Sequence, residues 1–394
     1  MEQELALVCT ENASPTHLCL AALLCTYLER SLGIGSAETA LDYLNRAASS
    51  ASQEKQSIAL FGGLAGIGWM HGHVMRVNCF ADSDDAANSI LAPIDERILF
   101  QLRVARWVGP YNLTQGLVGI GIYWLERLPS PAALEGLSLV VSHLAKLSHE
   151  SWGGLSWIKH GTNSTIMESL GAYDLSLTSG TVGVLRFLAH LVALNICRER
   201  ALVLLEGGLF WLSVTQRPPT LASRFGAWFS ASEQLTDNYL ALAYGDLATI
   251  SSLLQIGHLL QRDSLAAFAI ECLHVLRNKL PAPTEVTDIT LCHGVLGIAH
   301  VFNRCYHSDG DARLRVEARR WYTRALAMLT EGDNSGVRRD LARCSVRLQP
   351  ELLLCSGGVG IALTLLASIS QTEPLWDRML LQSFSHQTPD LDVP

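Results

Sequence analysis

No apolar run in this chain reaches the ~18–20 residues that a bilayer-spanning helix requires, although 49% of its 394 residues are hydrophobic. Charge is scarce, at 17% of residues, which together with the apolar content excludes a disordered chain. Basic surplus is lacking too: 29 lysines and arginines face 37 acidic residues, for a net charge of −8. A nucleic-acid surface, which needs a basic stripe, is therefore excluded, while a neutral or basic small molecule or peptide stays open. The first residues carry glutamates but no basic n-region, and the short run "LCLAALLCTYL" ends at Glu29-Arg30. A core helix is expected there, not a signal peptide. The ten cysteines follow no regular spacing, which argues against a disulfide framework and predicts reduced thiols in a cytoplasmic protein. Nor is there a phosphate-binding loop, since "HSDGDARL" has neither the P-loop lysine nor a preceding strand.

What the chain does have is a repeat. Its length exceeds that of an ordinary single core, so two domains or a repeat architecture are expected. The segments "FGGLAGIG", "TQGLVGIG", "TSGTVGVL", "AYGDLATI", "CHGVLGIA" and "CSGGVGIA" share one pattern. Their leading glycines are Gly63, Gly116, Gly180, Gly245, Gly294 and Gly357, spaced about 59 residues apart on average. A second glycine follows three residues later in each, except that Ala248 replaces it in the fourth.

Each motif opens an apolar run such as "GVLRFLAHLVALNIC", hydrophobic nearly all round as in a buried helix. Amphipathic segments lie between them. In "DARLRVEARRWYTRALAML", Leu314, Ala318, Trp321, Ala325 and Met328 recur at helical steps, which predicts an outer helix with one buried stripe. "SLAAFAIECLHVLRNKL" is similar and must stop before Pro281. Alternating inner and outer helices predict an all-α chain, an α/α toroid of about six to seven helix pairs. The expected organisation is one domain over 1–394: an N-terminal helical segment over 1–55, a repeat barrel over 56–385 and a tail over 386–394. The residue pairs before the leading glycines are expected at the mouth of a central cavity. They are Phe61-Gly62, Thr114-Gln115, Thr178-Ser179, Ala243-Tyr244, Cys292-His293 and Cys355-Ser356.

With its GxxG helices, its "AYGDL" and "LCHGVLGIA" stretches and its "LWDRMLL" ending, the chain resembles the lanthionine synthetase C-like family over roughly residues 55–385. These are the cyclases of lanthipeptide biosynthesis and their relatives. The resemblance implies a toroid with a central zinc, which activates a peptide cysteine for addition to a dehydrated residue. It also implies a precursor peptide as partner, with other peptide-modifying enzymes, and no nucleic acid or membrane insertion. Of the family's zinc ligands, the Cys-His pair stands here as Cys292 and His293, whereas the third ligand's position holds Ala243 and the tryptophan before it is Leu242. Asn112 takes the place of the catalytic aspartate, Ser179 that of a histidine, and Tyr239 that of an arginine. Amide and hydroxyl side chains do not replace a carboxylate or imidazole as a base near neutral pH.

Cys355 occupies in the sixth motif the position of Cys292 in the fifth, so a relocated Cys292–His293–Cys355 zinc site is one expectation. A small buried cysteine is the other. Asp174, five residues before Ser179, is a candidate carboxylate base or a turn-capping residue. His160 is a candidate replacement base, and the pair His71 and His73 is expected on a loop after the first motif helix. Asp246, at a helix start, reads as structural. The basic stretch over 338–347 is expected in a surface loop, solvated or drawing an acidic leader peptide. Three functional classes follow. One is a maturation enzyme that adds a thiol to a dehydrated ribosomal peptide. Another is a catalytically degenerate member that binds the precursor or holds a modifying complex. The third, a glycosidase or epimerase on a similar toroid, needs paired carboxylates, and the six pairs above contain none.

Overall fold

Every one of the six glycine motifs starts a helix. In this computed structural model, which describes residues 13–51, 56–79, 83–158, 173–218, 223–230, 240–330 and 353–383, helices dominate. They are α1 (Pro15–Leu32), α2 (Ala37–Ala51), α3 (Leu64–Val77), α4 (Ser83–Leu102), α5 (Leu117–Glu126), α6 (Pro131–Leu147) and α7 (Thr181–Ala193). After them come α8 (Arg198–Val214), α9 (Gly245–Leu259), α10 (Asp263–Arg277), α11 (Val295–Asp309), α12 (Ala312–Thr330) and α13 (Gly358–Ile369). His160, Tyr239 and the stretch over 338–347 lie outside the described residues.

The motif helices α3, α5, α7, α9 and α11 are buried over most of their circumference, as their apolar composition requires, whereas α13 buries half of its residues. The helices that follow them bury a stripe. In α12 the stripe comprises Leu314, Glu317, Ala318, Trp321, Tyr322, Ala325 and Met328. Caps set the ends. Ser14 and Ser130 stand before Pro15 and Pro131, and their hydroxyls accept from the N–H groups of His17 (3.4 Å) and Ala133 (3.2 Å). Gly33 and Gly310 close α1 and α11 in the left-handed conformation.

The residues pack into two units, each built from separated stretches of chain. One comprises 1–98, 281–306 and 310–377; within it α1 packs on α2, α3 and α13. The other comprises 99–280, 307–309 and 378–394; within it α5 pairs with α6, α7 with α8 and α9 with α10, and α7 also touches α5 and α9.

Two small antiparallel sheets, which the sequence did not announce, lie in the second unit. Strands β1 (Ser148–Ser151) and β2 (Gly154–Trp157) form a hairpin, turned at Trp152-Gly153 with φ of 58° and 76°. Strands β3 (Tyr173–Asp174) and β4 (Trp228–Phe229) join distant stretches. Strands of two to four residues are too short to show an alternating pattern.

Candidate functional site

The loops that carry the candidate residues are built to one plan. Six residues before the leading glycine, the carbonyls of Ser57, Pro110 and Asp288 accept the first helical N–H, from Leu64 (2.8 Å), Leu117 (3.2 Å) and Val295 (2.8 Å). The side chains there close a tight turn: Ser57 Oγ accepts from Ala59 N (3.0 Å), Asp174 Oδ1 from Ser176 N (2.8 Å) and Asp288 Oδ1 from Thr290 N (2.7 Å). The chain passes so close to itself that a Cβ on Gly116, Gly180 or Gly294 would overlap the carbonyl of Pro110, Asp174 or Asp288. The second glycines obey the same constraint, with a Cβ on Gly183 or Gly360 overlapping the carbonyl of Leu177 or Leu354. Gly245 differs, being the first residue of its helix at a φ of 82°, a conformation that favours glycine.

Backbone rungs tie neighbouring motif loops together. Leu113 N–H donates to the Thr178 carbonyl (3.2 Å), Leu177 N–H to the Ala243 carbonyl (2.9 Å) and Cys292 N–H to the Cys355 carbonyl (2.9 Å). In each rung the acceptor stands two residues before a leading glycine; the donor stands three before its own in the first two rungs and two before in the last, so only Cys292 and Cys355 meet at equivalent positions.

In the second unit, Asn112, Asp174 and Ser179 lie on these loops and are occupied by them. Asn112 is buried; its Oδ1 accepts from Gln115 N (2.9 Å) and from Thr114 Oγ1 (3.4 Å). Ser176 does the same in the next motif, its hydroxyl accepting from Ser179 N (3.1 Å). Asp174 is buried, and Ser179 is half-buried. Ala243 is fully buried. Asp246 has a structural role wider than its helix start implied. Its carboxylate receives Ser223 Oγ (3.1 Å) and the N–H groups of Arg224 (2.7 Å), Phe225 (2.7 Å) and Gly226 (3.2 Å).

In the first unit, Cys355 comes to Cys292. Both are buried, and the backbone rung brings them side by side. The neighbouring Cys355 thiol, then burial, pushes the Cys292 thiol well above the usual thiol range. His293 is exposed; partial shielding holds its imidazole below the usual value, against the pull of Asp288. Among the described residues, no three His, Cys, Asp or Glu side chains are gathered to hold a metal ion. The residues present therefore do not fit the zinc that the resemblance implies. Two buried thiols adjoin each other, and the imidazole is not part of a three-donor cluster.

His71 and His73 lie within α3, not on a loop, because the apolar run continues through Met70 to Val74 and Gly72 does not stop it. Both are buried; His73 Nε2 is hydrogen-bonded to Tyr27 Oη (3.0 Å), and its ring stacks on Trp69 at 4.5 Å. Positions two apart on a helix diverge by about 200°, so the pair does not chelate one ion.

A buried ionic cluster escaped the sequence reading. His300 Nε2 and Arg304 Nε, one turn apart on α11, both meet Asp377 Oδ2 at 3.0 Å. Arg304 also reaches Glu373 (2.6 Å), and His300 stacks on Trp376 at 5.1 Å. Its only sequence sign was the "LWDRMLL" ending, whose aspartate and tryptophan are these partners.

Comparison with known proteins agrees with this architecture. The family described as lanthionine synthetase C-like protein matches residues 20–381. In structure the chain is similar to nisin cyclase, with a TM-score of 0.73 at 18% identity over 94% of this chain and 91% of that chain. That likeness shows the fold, the α/α toroid, and not the chemistry. No curated protein sequence matches the chain.

Proposed function

The chain belongs to the lanthionine synthetase C-like family, and from that premise we propose that it serves the maturation of a ribosomally made, dehydrated peptide as a precursor-binding member rather than as a zinc-dependent cyclase. One observation carries the reading: Cys292 and Cys355 are buried against each other, and among the described residues no group of three donors is gathered to hold a metal ion. The neighbouring chemistry supports it. Asn112 and Ser179 replace the carboxylate and imidazole that the resemblance implies, and the Asn112 side chain is spent on its own turn. Asp174, the remaining carboxylate candidate, is likewise bonded into its loop, its Oδ1 accepting from the Ser176 N–H. The partners expected are the precursor peptide and the enzyme that dehydrates it. A net charge of −8 favours neutral or basic peptide segments over acidic ones.

The competing reading is thiol addition at a relocated Cys292–His293–Cys355 site, favoured by the approach of Cys355 to Cys292. Elemental analysis of protein purified without a metal-binding tag, run beside a binding and turnover assay with a dehydrated precursor, separates the two. We expect far less than one zinc per chain, saturable binding of the peptide, and peptide cysteines that still alkylate after incubation. One zinc per chain, lost in both Cys292→Ala and Cys355→Ala, together with consumption of the peptide thiols, would overturn the proposal.

A further inference from the structure

We propose that Cys292 and Cys355 are a disulfide-forming pair, so that oxidation converts the rung between the fifth and sixth motif loops into a covalent cross-link. Cys292 N–H donates to the Cys355 carbonyl at 2.9 Å, so the two backbones are in direct contact, the proximity that a disulfide requires. The side chains are near enough to act on each other, since the Cys355 thiol is the main influence on that of Cys292. Neither loop has to rearrange. The Cys292 loop is closed by the bonds from Gly294 and Gly297 to Thr290 and from Val295 to Asp288, and Cys355 sits on the helical turn Leu353–Ser356 just before α13. The inference rests on this contact and not on peptide binding.

Burial selects the oxidant. With exposures of 2% and 5%, the thiols are closed to an in-line approach by a bulky disulfide such as oxidised glutathione, whereas hydrogen peroxide is little larger than water. One thiol gives up its proton and attacks a peroxide oxygen. The O–O bond breaks, and the departing hydroxide takes the proton to become water. The sulfur, now a sulfenic acid, is attacked by the second thiol; the S–S bond forms as the S–O bond breaks, and the oxygen leaves as a second water. Two thiols lose two electrons and two protons, and one peroxide becomes two waters. In the closed state neither sulfur is a nucleophile or a metal ligand.

The test is peptide mapping of the full native chain after treatment with hydrogen peroxide, alkylation in denaturant and digestion. The exposed Cys79 reports that the oxidant was active. We expect a cross-linked peptide joining residues 292 and 355, lost on treatment with dithiothreitol and missing from Cys355→Ser. Recovery of Cys292 and Cys355 in separate peptides, as thiols or sulfinic acids while Cys79 is oxidised, would sink the pairing and leave the peptide-binding reading untouched. A cross-link that forms only after a chelator has stripped the protein would assign the thiols to a metal, overturning the direct pairing and that reading together.

Discussion

Ala243, fully buried, stands at the position at which the family resemblance places a zinc-binding cysteine. Alanine has nothing to offer a metal, and the carbonyl of this residue is already bonded to Leu177. Wild-type protein should therefore melt at the same temperature with and without a chelator. Asp246 makes the opposite point, since its part is structural and large. Asp246→Ala strands Ser223 and several backbone N–H groups in the interior, and with buried unsatisfied donors at about 1–3 kcal/mol each we expect a loss of about 3 kcal/mol in urea unfolding, with Asp246→Asn losing less. Asp377→Ala should cost about 3 kcal/mol by the same measurement, because the buried Arg304 guanidinium would keep only the half-exposed Glu373 and the buried His300 would lose its hydrogen bond. The sequence displayed the replacements at positions 112, 179 and 243 plainly. It concealed the roles of Asp246 and Asp377, because their partners lie on other segments of the chain and a linear reading contains no distances.

Between residues and whole units stands the motif loop, with its self-contact and its rung. Gly180→Ala or Gly294→Ala drives a methyl into a backbone carbonyl that cannot move aside, and overpacking of this kind costs about 1–3 kcal/mol. Gly72→Ala, in the interior of α3, meets only the tip of Leu91 at 3.6 Å and should be neutral or stabilising by up to about 1 kcal/mol through helix propensity. Thermal melting of the three variants checks the contrast. The rungs predict slow hydrogen exchange at the amides of Leu113, Leu177 and Cys292, although all three belong to loops. At this scale the sequence was most readable. The GxxG repeat marked the helix starts, and apolar periodicity separated helices buried all round from those with one stripe. The same periodicity hid the two short sheets and, at His71-Gly72-His73, invited a loop where the helix runs on.

As a whole, the chain interleaves its two units. The stretch Leu375–Leu380 illustrates this, since its residues up to Asp377 belong to one unit and those from Arg378 to the other. Removing residues from 375 onward takes Trp376 and Asp377 from the first, and from the second the carbonyls of Leu381 and Ser383 that Gln255 holds. We expect the truncated chain to lose its cooperative thermal transition entirely, as followed by circular dichroism. The repeat predicted the fold class from sequence alone, whereas this interleaving had no local sign, because which repeats pack with which is decided by contacts far apart in the chain.

The partnership of α1 with α13 also has a meaning in time. Residues 15–32 leave the ribosome more than three hundred residues before the helix over 358–369 that packs on them. At ~5–20 residues per second that wait lasts on the order of tens of seconds. The helices over 37–51 and 64–77 can cover part of α1 within that time, but the face that α13 covers stays open to water or to whatever else binds apolar surface. Translation speed and chaperones at the exit tunnel therefore bear on how that face is protected before the fold is complete.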